Sequence, residues 1–286
     1  EHGVIILELS SYQLDGAKSL SLDIATIINI TPDHLDYHET FDRYVSSKLK
    51  IINFLKRNGI FIYDKSNKLL NKIIDANKYN SLKFSSVNEK EAKDFINDNN
   101  YLKGTHNAIN ASIAISIAKK LNIKDNKIEL AIKGFKGLSH RMEPLYICKK
   151  FRIINDSKST NGESTAAALK SFSNIFWIVG GKPKNDGIGQ AKNFLDKVVE
   201  IFLIGNSTKY FSEEILKFNK NIPINECITL EKATILAIKK SKMSKLKNYV
   251  ILLSPSAASF DQFKSFEDRG NQFKKIISQQ IKQGIV

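Results

Sequence analysis

Residues 151–169 read FRIINDSKSTNGESTAAAL, and this segment sets the architecture expected of the chain. The apolar residues 151–154 predict a strand, and the Ala-rich residues 165–169 predict a helix. Between them, residues 155–161 place a carboxylate, an ammonium group and several hydroxyls at the strand-to-helix junction. In open α/β sheets this is where ligands bind, and helix N-termini favour anions. A second interpretation stays open, because Asn, Asp, Ser and Thr also cap helices in ordinary turns.

Strands and helices alternate strictly through the second half of the chain. Further strands are predicted at residues 175–179, 199–204, 224–228 and 249–253. Helical patterns fall near residues 190–197, 208–218, 230–241 and 266–283. Such alternation predicts an α/β fold with a mostly parallel, doubly wound sheet. A glycine-containing loop at residues 134–141 precedes it, so we predict two domains, 1–138 and 139–286.

The first half has a less regular pattern. Strands are predicted at residues 4–7, 24–30 and 60–63, and helices at 40–56, 106–121 and 125–136. Gly59 is expected to end the helix 40–56, while residues 64–100 are polar and predict only weak elements. Because the apolar run 4–7 reads as a buried strand so close to Glu1, the chain is expected to be a fragment that lacks an upstream part.

Composition narrows the classes of function. The 286 residues are 42% hydrophobic and carry a formal charge of +15, but the lysines are scattered and not interleaved with aromatic residues. The scattered lysines argue against a nucleic-acid partner. Binding of small anionic substrates would explain the positive charge equally well. No signal peptide or bilayer-spanning apolar run is present. The two cysteines, Cys148 and Cys227, have no metal-ligand spacing and fit a reducing cytoplasm.

Two polar motifs follow the first two predicted strands. ELSSYQL at residues 8–14 and TPDHLD at residues 31–36 would face one cleft, where a carboxylate and an imidazole could ligate Mg²⁺. The alternative is an N-cap for Asp33 and a surface position for His34. Lys48 lies on the next helix; it is either solvated or, if buried and neutral, able to add CO₂ and become an oxygen ligand.

Other polar groups also stand at predicted helix starts and strand ends. Asn107 and Asn110 share a helix face that suits a nucleotide, although both could be caps. Arg141, beside His140, suits phosphate. GGKPK at residues 180–184 and SPSAASFD at residues 254–261 follow strands. The chain contains no G-x-x-x-x-G-K-[ST] phosphate-binding loop.

In this order the motifs resemble those of the Mur ligases. The matching segments are ELSSYQLD (8–15), TPDHLD (31–36), Lys48, GTHNAINA (104–111), HRME (140–143), NDSKSTN (155–161), GGKPK (180–184) and LLSPSAASFDQFKSFEDRG (252–270). The last block is typical of the member that adds D-glutamate. The resemblance implies part of a central ATPase domain followed by a Rossmann-like domain. It also implies that a uridine-nucleotide domain and the phosphate-binding loop lie before Glu1.

The resemblance further implies an ATP- and Mg²⁺-dependent ligase that joins D-glutamate to UDP-N-acetylmuramoyl-L-alanine through an acyl phosphate. It would be a cytoplasmic monomer without nucleic-acid or membrane partners. The implied metal ligands are Glu8, His34 and a carbamylated Lys48. The implied ATP contacts are Asn107, Asn110, Arg141 and Asp156. The implied substrate contacts are Ser10, Lys158, Thr160, Lys184, Ser259 and Phe266, with Lys48, His140 and Lys158 catalytic. Lys182 could replace Lys184. Another Mur ligase, a folylpolyglutamate synthase relative or a non-catalytic binding remnant are the alternatives.

Overall fold

A computed structural model describes residues 3–75, 82–97, 99, 101–102, 104–183 and 187–286. The chain divides into two compact units, Glu1–Phe135 and Lys136–Val286, so the division lies close to the predicted boundary at residue 138. In the described ranges, no helix is both long and apolar enough to cross a membrane.

The first unit is built on a parallel sheet of three strands in the order β1–β2–β3. Its strands are β1 (Leu22–Ile27), β2 (Leu55–Asp64) and β3 (Lys83–Val87). Its helices are α1 (Ser11–Gly16), α2 (Leu35–His38), α3 (Phe41–Asn53), α4 (Lys68–Asp75), α5 (Lys93–Ile96), α6 (Thr105–Lys120) and α7 (Asp125–Gly134), with a 3-10 turn at Glu89–Ala92.

Both faces of this sheet are covered, as the period-2 alternation of strand side chains requires. Phe61 of β2 packs with Tyr44, Val45 and Ile52 of α3. Its neighbour Ile62 points the other way and packs with the α6 side. The sheet therefore lies between α3 and α6, and the motif at residues 31–36 follows the carboxyl end of β1.

The second unit contains a six-stranded sheet in the order β4–β5–β9–β6–β7–β8. Its strands are β4 (Glu143–Ile147), β5 (Phe151–Asn155), β6 (Ile175–Gly180), β7 (Val198–Ile204), β8 (Ile224–Ile228) and β9 (Tyr249–Leu253). The helices are α8 (Gly162–Lys170), α9 (Thr208–Leu216), α10 (Leu230–Met243) and α11 (Phe266–Lys282), with a 3-10 segment at Gly189–Lys197. All strand pairs are parallel except β4 with β5.

Alternating strand residues of the second unit supply two separate cores. Trp177 and Leu252 belong to one core, whereas Phe176 and Ile251 belong to the other. Helices on both faces bury these residues, which is the doubly wound arrangement that the sequence predicted. The α/β fold class is thereby confirmed.

Three details of the predicted pattern are wrong. Residues 4–7 form no strand; their side chains are exposed, by as much as 89% for Ile6, since no neighbouring strand supplies backbone partners. Gly59 lies inside β2 and does not end α3, which already stops at Asn53. The sequence also missed β4, the antiparallel edge strand that pairs with β5.

Candidate active site

Ser10 caps the N-terminus of α1. Its hydroxyl accepts a hydrogen bond from the Gln13 backbone N–H at 3.2 Å, and its own N–H donates to Gln13 Oε1 at 2.8 Å. This reciprocal pair is a capping box, which satisfies two of the unpaired donors at the start of α1. Ser10 remains exposed at the end of a segment that also carries the exposed Glu8.

His34 is held in a defined orientation by its neighbours. Its backbone is left-handed, with φ 56°, and its N–H donates to Asp33 Oδ1 at 2.9 Å. The Tyr12 hydroxyl lies 3.0 Å from Nδ1 of His34, and Asp33 Oδ2 lies 3.6 Å from Nε2. These contacts at both ring nitrogens fix the orientation of the imidazole ring, as second-shell partners do for metal-ligating histidines.

A cluster of rings surrounds this histidine. Tyr12 contacts Tyr37 and His38, and His38 in turn packs against Tyr44. His38 is buried, with Nε2 2.9 Å from the Ser11 hydroxyl. The sequence reasoning missed Tyr12 and His38, although both lie in or beside the quoted motifs.

Lys48 is half-buried on α3. Its ammonium group donates to the Asn29 carbonyl at 3.2 Å and lies 5.0 Å from the centre of the Tyr44 ring. Burial lowers the pKa of Lys48, while the Asp33 carboxylate opposes that shift. A lysine whose neutral form is favoured in this way can react with CO₂, so its environment fits the carbamate that the sequence suggested.

Of the predicted metal ligands, Glu8 and a carbamylated Lys48 would offer the oxygen atoms that Mg²⁺ prefers, whereas His34 offers a nitrogen. The side chains of the described residues include no group of three or more His, Cys, Asp or Glu that could hold a metal. Mg²⁺ prefers oxygen ligands, so a carbamate on Lys48 and phosphate oxygens of a ligand would have to complete the set. The Asp33 carboxylate lies near His34 Nε2, and its charge opposes the lowering of the Lys48 pKa by burial. It is a further candidate oxygen ligand for the metal that the sequence reasoning did not assign.

Asn107 and Asn110 lie in the first turns of α6. The helix begins after Gly104, whose φ of 98° is unfavourable for residues with a side chain. Asn107 is partly buried and Asn110 is exposed. The i, i+3 spacing places both on one helix face, and their proposed contact with a nucleotide stays a prediction.

In the second unit, two buried polar residues, Asn155 and Asp156, lie at the end of β5. Asp156 accepts hydrogen bonds from two other segments. Its Oδ1 accepts from the Met142 N–H at 3.0 Å and its Oδ2 from the Ser254 hydroxyl at 2.9 Å. Burial raises the pKa of Asp156 to about 7, and the hydrogen bonds from Met142 and Ser254 and the charge of Arg141 oppose the shift. A carboxylate so close to its neutral form would gain from a cation or a nucleotide hydroxyl.

The other buried residue is Asn155, which joins three segments. Its amide nitrogen lies 3.1 Å from His140 Nδ1, 3.2 Å from Glu143 Oε2 and 3.3 Å from the Gly270 carbonyl. His140 is 5% exposed, and its carbonyl accepts from the Lys158 N–H at 3.0 Å. Burial and then the Lys274 charge lower the pKa of His140, with Glu143 and Glu267 opposing. His140 therefore supports the Lys158 loop through its backbone.

The predicted substrate contacts gather around the same strand ends. Lys158 is exposed, with its ammonium group 5.1 Å from the centre of the Phe266 ring. The Ser157 hydroxyl donates to the Phe266 carbonyl at 2.8 Å, which ties the start of α11 to this loop. Thr160 is half-buried, Ser259 is buried and Arg141 is exposed. Lys184 lies outside the described residues.

Arg269 is the residue that sequence reasoning missed in this unit. It lies within the block 252–270 but was not singled out, because a helix-borne arginine ordinarily reads as a surface charge. It is completely buried and binds the loops after β5 and β9.

Comparison with known proteins gives a matching family model for the first part of the chain and relatives that resemble most of its length. Residues 1–124 match the family model of the Mur ligase middle domain. A UDP-N-acetylmuramoylalanine--D-glutamate ligase from Zymomonas mobilis is 36% identical over 275 residues, covering 96% of this chain and 60% of the relative. One of the same name from Rickettsia felis is 34% identical and is covered to 64%. The chain thus spans less than two thirds of the curated relatives it matches.

Solved structures of lower identity share the fold. MurF from Acinetobacter baumannii superimposes with a TM-score of 0.63 at 16% identity, covering 88% of this chain and 60% of that one. A bifunctional folylpolyglutamate synthase/dihydrofolate synthase from Yersinia pestis gives 0.58 at 12% identity, with 89% and 62% covered.

Proposed function

We infer that the chain belongs to the Mur ligase family, and we propose that it forms part of an ATP-dependent ligase adding D-glutamate to UDP-N-acetylmuramoyl-L-alanine. The relatives with 31–36% identity bear the name of that activity. The observation that carries the proposal is the group of side chains at the carboxyl ends of β5 and β9, where Lys158, Ser259 and Phe266 lie on joined loops.

These loops suit an anionic amino acid. Lys158 presents a cation at the surface beside Phe266, and Thr160 follows it in the same loop. A charge-assisted hydrogen bond to a carboxylate is about twice as strong as a neutral one. We assign Lys158 and Thr160, with Lys184, Ser259 and Phe266, to the binding of D-glutamate, and Ser10 to binding of the other substrate.

The proposed reaction activates a carboxylate before an amine attacks it. The L-alanyl carboxylate takes the γ-phosphoryl group of ATP, and the D-glutamate amine then attacks the acyl carbon, loses a proton and expels phosphate. Phosphoryl transfer depends mainly on positioning and charge stabilisation. Glu8, His34 and a carbamylated Lys48 would hold Mg²⁺, which supplies that charge stabilisation.

Other residues of the chain are assigned to ATP binding and to the support of Lys158. Asn107 and Asn110 on α6, with Arg141 and Asp156, are assigned to ATP. His140 accepts a hydrogen bond from the Lys158 backbone N–H through its carbonyl and so helps to place the cation that would bind a carboxylate of D-glutamate. Closure around the acyl phosphate would exclude water. We further expect a cytoplasmic monomer that has no nucleic-acid or membrane partner.

The choice of amino acid and acceptor that the enzyme joins distinguishes this proposal from its alternatives. An enzyme that contains this chain should incorporate D-glutamate, and not L-glutamate, lysine or diaminopimelate, into UDP-N-acetylmuramoyl-L-alanine with release of ADP and phosphate. Glutamate addition to a folate instead would indicate a folylpolyglutamate synthase relative. Binding without ADP release from any acceptor would indicate a non-catalytic remnant.

A further inference from the structure

Arg269 occupies an environment that ordinarily excludes arginine. It lies on α11 with 0% of its surface exposed, and burial lowers its pKa to about 10, so it stays charged near neutrality. The carboxylates of Asp261 and Asp156 favour that charge. A buried charge is unfavourable unless hydrogen bonds and opposite charges replace its lost hydration, so the partners of the guanidinium indicate what it does.

The guanidinium joins two strand ends that are remote in sequence. Its Nε donates to the Ser157 hydroxyl at 3.0 Å and its Nη2 donates to the Ser157 carbonyl at 2.8 Å. Nη2 also donates to the Ala257 carbonyl at 3.1 Å. Ser157 follows β5 and Ala257 follows β9, and these strands are parallel neighbours. Arg269 therefore fixes the spacing between the two loops.

A third strand end lies beside the same side chain. A Cβ on Gly181, just after β6, would stand 3.3 Å from Nη1 of Arg269, and the backbone there has φ 133°. The Lys182 N–H donates to the Ala258 carbonyl at 2.9 Å, and the Ala258 N–H donates back at 3.0 Å. The loops after β5, β6 and β9 thus meet around one buried cation.

The assigned D-glutamate contacts lie next to these anchored atoms. Lys158 follows Ser157 directly, and Ser259 lies two residues after Ala257. Phe266 is tied to Ser157 through its carbonyl. Each contact stands on a loop or a loop-to-helix junction, whose backbone is not held by a helix or strand of its own.

We propose that Arg269 is a positioning residue for D-glutamate, because its hydrogen bonds to Ser157 and Ala257 hold Lys158 and Ser259 at a fixed separation. The inference rests on the proposed function for its substrate, but the rigid connection of the loops can be tested without that substrate. Lysine cannot replace this arginine, since an ammonium group lacks the planar fork that reaches both loops.

The test compares Arg269→Lys with two controls in the 286-residue chain. Arg152→Lys makes the same change at an exposed site on β5. Ile277→Val removes one methyl group from the buried face of α11. Denaturant is added to the Ile277→Val variant until its free energy of unfolding equals that of Arg269→Lys. D-glutamate affinity is measured by NMR titration. Arg269→Lys should bind about tenfold more weakly than either control.

Amide hydrogen exchange supplies the readout that needs no substrate. The N–H of Lys158 donates to the His140 carbonyl, and those of Lys182 and Phe263 donate to the Ala258 and Ser259 carbonyls. These three N–H groups should exchange at least about tenfold faster in Arg269→Lys than in stability-matched Ile277→Val. Ser157→Ala, which keeps the charge but removes one accepting hydroxyl, should shift the same amides in the same direction and serves if Arg269→Lys does not fold.

Exchange at these amides equal to that of Ile277→Val would overturn the proposal, as would unchanged D-glutamate affinity. If the wild-type chain binds no D-glutamate while the loops still loosen, the proposed substrate is wrong and the positioning role of Arg269 stands.

Discussion

Gly270 of α11 lies so close to His140 that a Cβ on the glycine would overlap the imidazole ring. The Gly270 carbonyl also accepts a hydrogen bond from Asn155 Nδ2 at 3.3 Å, and the same nitrogen lies 3.1 Å from His140 Nδ1. A helix of the second unit and the loop before β4 therefore approach at van der Waals distance, and the loop carries the backbone carbonyl that supports Lys158.

Gly270→Ala should destabilise the second unit by about 1–3 kcal/mol, because the added methyl group must displace a buried, hydrogen-bonded ring. Thermal unfolding followed by circular dichroism measures the change. Gly134→Ala is the control, since a Cβ on that helix-terminal glycine meets nothing within 4 Å. Equal unfolding temperatures for Gly270→Ala and the wild type would contradict the packing described.

Asp156 should make the stability of the chain depend on pH. Its carboxyl group has an unfolded-state pKa near 3.8 and a folded-state pKa of about 7, so the folded chain binds the proton more tightly between these values. The free energy of unfolding should therefore fall as pH rises from 4 to 7, by at most about 1.4 kcal/mol per pH unit from this group.

Asp156→Asn should remove that slope, because the amide does not ionise; its Oδ1 can still accept from the Met142 N–H, while its Nδ2 would donate to the Ser254 hydroxyl oxygen. Urea unfolding at pH 5 and pH 8 gives the comparison. His140 contributes the opposite trend in both proteins, since its lowered pKa costs stability as pH falls, and this cancels in the difference. Exposed Asp196→Asn should keep the wild-type slope; the same slope in Asp156→Asn would show that Asp156 is not the source.

Lys158→Ala in an enzyme containing this chain should abolish D-glutamate addition and leave ATP binding largely intact. One charge-assisted contact to a carboxylate contributes about 1.5–3 kcal/mol, and more if it also orients the amine. The measurements are D-glutamate dependence of the rate and ATP affinity. Lys209→Ala, at an exposed position of α9, should behave like the wild type. Normal kinetics in Lys158→Ala would refute the assignment.

Lys48→Ala should lose activity, and short carboxylic acids should partly restore it by supplying oxygens where the carbamate stood. The half-buried amine with its lowered pKa is the physical reason. Carbon-13 NMR with labelled bicarbonate should detect the carbamate in the wild type and not in Lys48→Arg. Absence of both rescue and label would mean that Lys48 acts as a simple cation.

The sequence predicted most of the second unit, because buried parallel strands are continuous apolar runs that helices separate. It missed β4, whose Glu143 and Pro144 obscure the apolar pattern of an edge strand. In the first unit it extended α3 to Lys56, since Leu55 continues the helical spacing although its backbone pairs with β1. The exposed residues 4–7 show that an apolar run forms no strand without a partner.

The sequence also located the loops that carry the candidate site, because polar clusters after strands have a common position in such sheets. It could not show which side chains support them. The burial of Arg269, the joining of three segments by Asn155 and the Tyr12–His34 contact depend on residues far apart in the chain. Only the folded geometry relates these residues to one another.

The most direct test of the account is ATP-dependent incorporation of labelled D-glutamate into UDP-N-acetylmuramoyl-L-alanine. Because the 286-residue sequence contains no phosphate-binding loop, it should show no ligation alone. Joined to the part of the Zymomonas mobilis relative that it does not span, it should incorporate D-glutamate with one ADP released per amide bond, and should reject L-glutamate. A folded chimera that binds ATP but transfers no D-glutamate would contradict the proposed function.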